Sequence, residues 1–226
     1  MKLKKFSQQP LVIYTLLLVM GIVYAFMMFR YGTTENTLAL IQMGGNFRPM
    51  IVHYNEWWRL LTAGFLHIGL EHLLLNGVSI YFMGQELESL MGHWRLGVLF
   101  IVSVIGGNLA AFALNSEGVV SAGASTGLFG LFTAMLVLAY LYPESSYLQY
   151  RSKSLMILII MNFLLTFSAP DIDLWGHAGG VVYGAFTAFV LGLPHETHTS
   201  RIEKLLAVAI IIAMSIGLVC IGITKV

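Results

Sequence analysis

Seven apolar runs, at 11–29, 64–84, 96–114, 125–142, 154–169, 175–192 and 205–223, govern what this 226-residue chain can become. A helix crossing a bilayer needs about 20 mostly apolar residues. In lipid, every backbone N–H and C=O must find its partner inside the protein, which favours helices over irregular chain. Composition closes off the soluble alternative. The chain is 58% hydrophobic and 10% charged, against about 45–50% and about 25% in an ordinary soluble domain. The expectation is an all-α polytopic membrane protein. Its net charge of +1 points to no nucleic-acid partner, and the lone Cys220 allows no internal disulfide.

Lys2, Lys4 and Lys5 precede the first run, as in a secretory signal. That run is 19 residues long, however, and Arg30-Tyr31 follows it in place of a small-residue cleavage site. It reads as a retained span. Seven spans with a cytoplasmic N-terminus put 85–95, 143–153 and 193–204 inside. That side holds Lys2, Lys4, Lys5, Arg95, Arg151, Lys153, Arg201 and Lys204, against Arg30, Arg48, Arg59 and Lys225 outside. The bias has the sense of the positive-inside rule. The long connection 30–63 then faces outward, and its Tyr54, Trp57 and Trp58 suit the lipid–water interface.

Polar groups inside a membrane are costly and mark function or specific pairing. Three sets stand out: His67, His72 and Asn76 on the second span; Ser121 to Gly127 heading the fourth; His177 heading the sixth. At ~1.5 Å per residue, Ser125 and His177 stand roughly 26 and 22 Å from the inner ends of their spans. These are similar depths, near the outer face of a ~30 Å core. His72 and Asn76, one turn apart, share a helix face. Gly123, Gly127 and Gly130 on the fourth span, and Gly176, Gly179, Gly180 and Gly184 on the sixth, would let the two backbones approach closely.

That proximity matters because a serine hydroxyl becomes a nucleophile only beside a base, usually histidine. A tetrahedral intermediate also needs hydrogen-bond donors for its oxyanion. The Asn76 amide, the His72 ring and the backbone N–H of Ser125, at a helix start, can supply them. Spans three to six contain no Asp or Glu, so a Ser125–His177 dyad is the economical arrangement. Taken singly, a membrane Ser, His or Asn is more often a packing or interhelical hydrogen-bonding group. The conjunction is what points to catalysis.

In order along the chain, these residues resemble the rhomboid family over roughly 54–192. Trp58-Arg59 is similar to the family's Trp-Arg pair in the first outer loop. His67 to Asn76 resembles its His-x4-His-x3-Asn signature, Gly123-Ala-Ser125-Thr-Gly127 its Gly-x-Ser-Gly motif, and Gly176-His177-Ala-Gly-Gly180 its Gly-His-x-x-Gly motif. The resemblance implies a six-helix protease core over 1–204, with an additional C-terminal transmembrane helix over 205–226. It implies an intramembrane serine endopeptidase that cuts transmembrane protein substrates near the outer face, with Ser125 and His177 catalytic and His72 and Asn76 in the oxyanion hole. Gly123 and Phe129 would pack the site, and Trp58 and Arg59 would anchor the loop. Thr126 stands where the family usually has Gly, and Phe129 where a Tyr often packs against the histidine.

Two rival functions remain. A non-cutting rhomboid-like protein would bind transmembrane clients without Ser125 and His177 acting. A small transporter would want polar groups through several spans and broken helices. No zinc-protease or aspartyl-protease motif is present; His195-Glu-Thr-His198 has the wrong spacing. The expectation is therefore no metal and no cofactor, with the lipid bilayer and transmembrane substrates as partners. The sequence leaves the oligomeric state open. A bacterial inner membrane is the expected location. His67 reads as structural or as lining a water-accessible cavity; Asp171, Asp173, His195 and His198 read as solvated; His53 and His93 carry no assignable chemistry.

Overall fold

The computed structural model describes residues 9–168, 173–194 and 198–225; Lys2, Lys4, Lys5, Asp171 and His195 lie outside the described residues. The described chain is helical except for one two-residue strand pair and its connections. Among the described residues, seven long helices overlap the seven apolar runs: α1 (Leu11–Tyr31), α5 (Gly69–Met91), α6 (His93–Leu114), α7 (Ser125–Leu141), α8 (Ser146–Ser168), α9 (Leu174–Leu191) and α10 (Arg201–Thr224). Among the described residues, α1, α6, α9 and α10 are long and apolar enough to cross a bilayer. The chain is an integral, multi-pass helical membrane protein.

Two elements depart from the apolar runs. The second run was expected to be helical from 64, but Ala63–Phe65 forms a 3₁₀ turn, and Leu66 and Ile68 are extended. α5 begins only at Gly69, so His67 precedes it. At its other end α5 continues through the expected loop to Met91, where Gly92 (φ 81) turns the chain directly into α6. The charge within that extension is satisfied locally. The fully buried Glu88 carboxylate accepts from Val12 N–H (2.9 Å) and Ile13 N–H (3.1 Å), which the start of α1 leaves without helical partners, and it pairs with His93. α8 likewise starts eight residues before its apolar run. In its polar first turns Arg151 forms a two-pronged ion pair with Glu86 of α5, and the Tyr147 hydroxyl donates to the same carboxylate at 2.7 Å.

α6, α7 and α9 pack centrally, α1 lies on α5, α8 on α7, and α10 on α6 and α9. The glycines divide their work over three helices, a correction to the two-faced arrangement expected. Gly180 and Gly184 of α9 lie against the backbone of α7 at Thr126 and Gly130. Gly127 instead faces the Phe100 ring of α6, and Gly179 faces Gly107 of α6, with 2.8 Å from an added Cβ to its Cα. Any side chain at these positions would wedge the helices apart. α10 is fastened by a Tyr183–Ser215 hydroxyl pair (2.8 Å), and Gly222 receives the Phe112 ring.

The connection between α1 and α5 is ordered by its own short elements: α2 (Thr37–Gln42), β1 (Asn46–Phe47), α3 (Arg48–Tyr54) and α4 (Arg59–Thr62). β1 pairs antiparallel with β2 (Val120–Ser121), Asn46 opposite Ser121 and Phe47 opposite Val120. Three buried side chains lock it down. Arg48 donates to the Phe112 and Asn115 carbonyls at the end of α6 (2.7 and 2.6 Å), where the last carbonyls have no intrahelical donor. Asn46 donates to the Asn108 carbonyl (2.8 Å), and Asn108 to the Leu60 carbonyl (2.9 Å). This segment thus holds the strand from which the chain enters α7.

Candidate active site

β2 leads through Ala122, Gly123 and Ala124 into α7, whose first residue is Ser125. Gly123 has φ 146, a region that suits glycine, and its N–H donates to the Ala63 carbonyl at 2.9 Å. A Cβ added there would lie 2.7 Å from His72 Cε1, 3.0 Å from His72 Nε2 and 3.6 Å from Ser125 Oγ. Gly123 is therefore the gap across which the His72 ring and the Ser125 hydroxyl face one another. No side chain caps α7, so its first-turn N–H groups remain available as donors.

His177 lies in the first turn of α9 and is buried. Its Nε2 is 2.9 Å from Ser125 Oγ, across 52 residues of sequence. The Phe129 ring stacks on the imidazole, with centroids 4.3 Å apart and planes at 29°. Phe129 follows Ser125 by one turn, so one face of α7 presents both the hydroxyl and the ring that orients its partner. Among the described residues, His177 Nδ1 has no hydrogen-bond partner. Among the described residues, no carboxylate completes a triad there.

The helix carrying His177 is anchored by Asp173. Its Oδ1 accepts from the Gly176 N–H (2.8 Å) and from Asn115 Nδ2 (3.1 Å), while its backbone carbonyl accepts from the His177 N–H (3.1 Å). This corrects the solvated role expected for Asp173. An Asp before an apolar helical run is an N-cap signal, legible in the sequence though not read there. Asn115 also donates to Ser121 Oγ at 3.1 Å, so one amide ties the ends of α6, β2 and α9 together.

Asn76 is buried one turn along α5 from His72, and its amide donates to the His72 carbonyl at 3.1 Å, leaving a second N–H. His67 is fully buried and packs edge-on against the His72 ring, centroids 5.3 Å apart. It does not line an open cavity. Trp58 and Arg59 stand in the segment between α1 and α5. The Arg59 guanidinium is buried, donates to the Ile41 and Gly45 carbonyls (2.6 and 2.9 Å) and stacks over the Trp58 ring at 4.9 Å. His198 is exposed, against the Tyr142 ring and 3.9 Å from the Glu144 carboxylate, and His93 engages Glu88. Ser125, His177, His72, Gly123 and Phe129 thus form one cluster. Trp58 and Arg59 belong to the loop that holds it.

The profile of a family described as the rhomboid domain matches residues 54–194. Rhomboid protease GluP of Bacillus subtilis (strain 168) is 32% identical over 207 residues, which cover 92% of this chain and 40% of that protein. RHOMBOID-like protein 1 of Arabidopsis thaliana is 36% identical over 155 residues, covering 69% and 40%. Putative rhomboid protease YdcA of Bacillus subtilis (strain 168) is 31% identical over 150 residues, covering 64% and 75%. The chain spans about 40% of the length of the first two.

Proposed function

The chain belongs to the rhomboid family, and from that membership we propose that it is an intramembrane serine endopeptidase cutting other proteins in or near their transmembrane segments. The observation that carries the reading is the 2.9 Å separation of His177 Nε2 from Ser125 Oγ. In this reading His177 accepts the hydroxyl proton as Ser125 Oγ attacks the scissile carbonyl carbon. The tetrahedral oxyanion is met by the His72 ring, the Asn76 amide and the Ser125 backbone N–H. His177 then protonates the leaving amine, and water attacks the acyl-enzyme with His177 again as base. With Nδ1 facing no carboxylate among the described residues, the stacked Phe129 ring does the orienting that a third polar residue does in a triad.

We read 1–204 as the six-helix protease core and 205–226 as an added seventh span, with the N-terminus cytoplasmic. The Ser125 end then opens to the extracytoplasmic side of a bacterial inner membrane. The Lys and Arg distribution supports that orientation.

The test is covalent labelling of the detergent-purified protein by a fluorophosphonate, wild type beside Ser125→Ala. Label on the wild type alone is the expected result. Equal label on both removes Ser125 as nucleophile. No label on either moves the reading to a client-binding protein that does not cut.

A further inference from the structure

A second site lies at the other end of the molecule. Between the last turns of α7 and the first turns of α8 is a cleft of about 370 Å³, within the ~300–1,000 Å³ range of small-molecule sites. Tyr140 follows Ser125 by fifteen helical residues, so the cleft is roughly 22 Å from the hydroxyl. It is not part of the cluster described above.

The cleft is graded along the helix axes. Leu136 and Met156 line its inner part, toward the middle of the two helices. Tyr140, Ser152 and Lys153 line it nearer the helix ends. The Gln149 amide donates to the Ala139 carbonyl at 2.6 Å, pinning α8 to α7 at this point. Gln149, Ser152, Lys153 and Met156 stand at i, i+3, i+4 and i+7, one stripe of α8. Arg151 is turned about 200° from Lys153 around the helix and is committed to Glu86. Lys153 is exposed and makes no ion pair with the described residues. The cleft therefore pairs an apolar interior with an uncommitted cation at its polar rim.

We propose that this cleft binds an anionic phospholipid from the leaflet opposite the Ser125–His177 end. One acyl chain lies between Leu136 and Met156, and the phosphate sits at the Lys153 ammonium beside the Tyr140 hydroxyl. The polarity gradient matches the way a lipid enters from a leaflet, chain toward the bilayer centre and headgroup at its surface. Lys153 selects an anionic headgroup over a zwitterionic one, and a basic residue near such a surface gives about five-fold preference. The site depends on neither the proteolytic reading nor the membrane orientation.

Native mass spectrometry of the full chain tests it, with phosphatidylglycerol and phosphatidylcholine of identical acyl chains. The wild type is expected to hold phosphatidylglycerol at least about five-fold more tightly. Lys153→Glu should abolish the preference, while Lys204→Glu, on α10, should keep it. Met156→Trp, which fills the inner part of the cleft, should reduce retention of both lipids. Matching unfolding temperatures among the variants show that they fold. Equal retention of the two lipids by the wild type overturns the proposal. So does equal loss from Lys153→Glu and Lys204→Glu, which would mean diffuse attraction, or a Met156→Trp effect on self-association without one on lipid.

Discussion

Thr126 of α7 is fitted to Gly107 of α6. A Cβ added to Gly107 would lie 2.6 Å from Thr126 Cβ and 2.6 Å from the Gly176 carbonyl oxygen. The branched residue beside the Ser125 position, unusual for the resemblance, is thus accommodated by a missing side chain on the neighbouring helix. Gly107→Ala is expected to destabilise the protein by about 1–3 kcal/mol through overpacking, read as a lower unfolding temperature. Adding Thr126→Gly should restore only part of it, because the Gly176 carbonyl cannot retreat. Full restoration would mean that Thr126 alone sets the constraint.

Phe129 should matter through geometry. An aromatic stack contributes about 0.5–1.5 kcal/mol beyond burial, so Phe129→Ala is expected to lower kcat about two- to ten-fold with little change in KM. Phe129→Tyr should keep the stack and the rate. Cleavage of a quenched transmembrane peptide by the three proteins measures it. A KM effect with unchanged kcat would assign Phe129 to substrate binding.

Asn76 separates a catalytic donor from a structural one. Loss of a single oxyanion donor costs about 10²–10³ in kcat, and Asn76→Ala is expected to show that loss. Its hydrogen bond to the His72 carbonyl is local to one helix turn, so the unfolding temperature should move little. A large fall in that temperature, matched by the fall in rate, would make Asn76 a packing residue.

Glu88 predicts the opposite pattern. Its carboxylate serves two N–H groups of α1 and His93 from a fully buried position. Hydrogen bonds to charged groups contribute about 1.5–3 kcal/mol each. Glu88→Ala should therefore lower stability by several kcal/mol, and Glu88→Gln, which keeps one acceptor oxygen, by less. Labelling at Ser125 should be unchanged below the unfolding temperature, since the pair lies at the far end of α5.

The residues of the candidate site could be read from the chain because each has a local signature. Ser125 and His177 both head apolar runs after small residues, His72 and Asn76 are one turn apart, and a polar side chain in lipid stands out against its surroundings. The helical class was legible for the same reason, since about 20 apolar residues can hide their backbone from lipid in few other ways. Partnership was not legible. That Gly127 faces Phe100 while Gly180 faces Thr126 depends on how three helices rotate about their axes, which a glycine spacing constrains on one helix at a time. Charged residues do not disclose partners that are distant in sequence: Arg151 is 65 residues from Glu86, and the α1 amides are more than 70 from Glu88. Sequence alone determined which segments are apolar and which polar groups they carry, because hydropathy is a property of each segment. Only the tertiary structure decided which polar groups meet, because a 2.9 Å contact requires two helices to be docked in one rotation and one register.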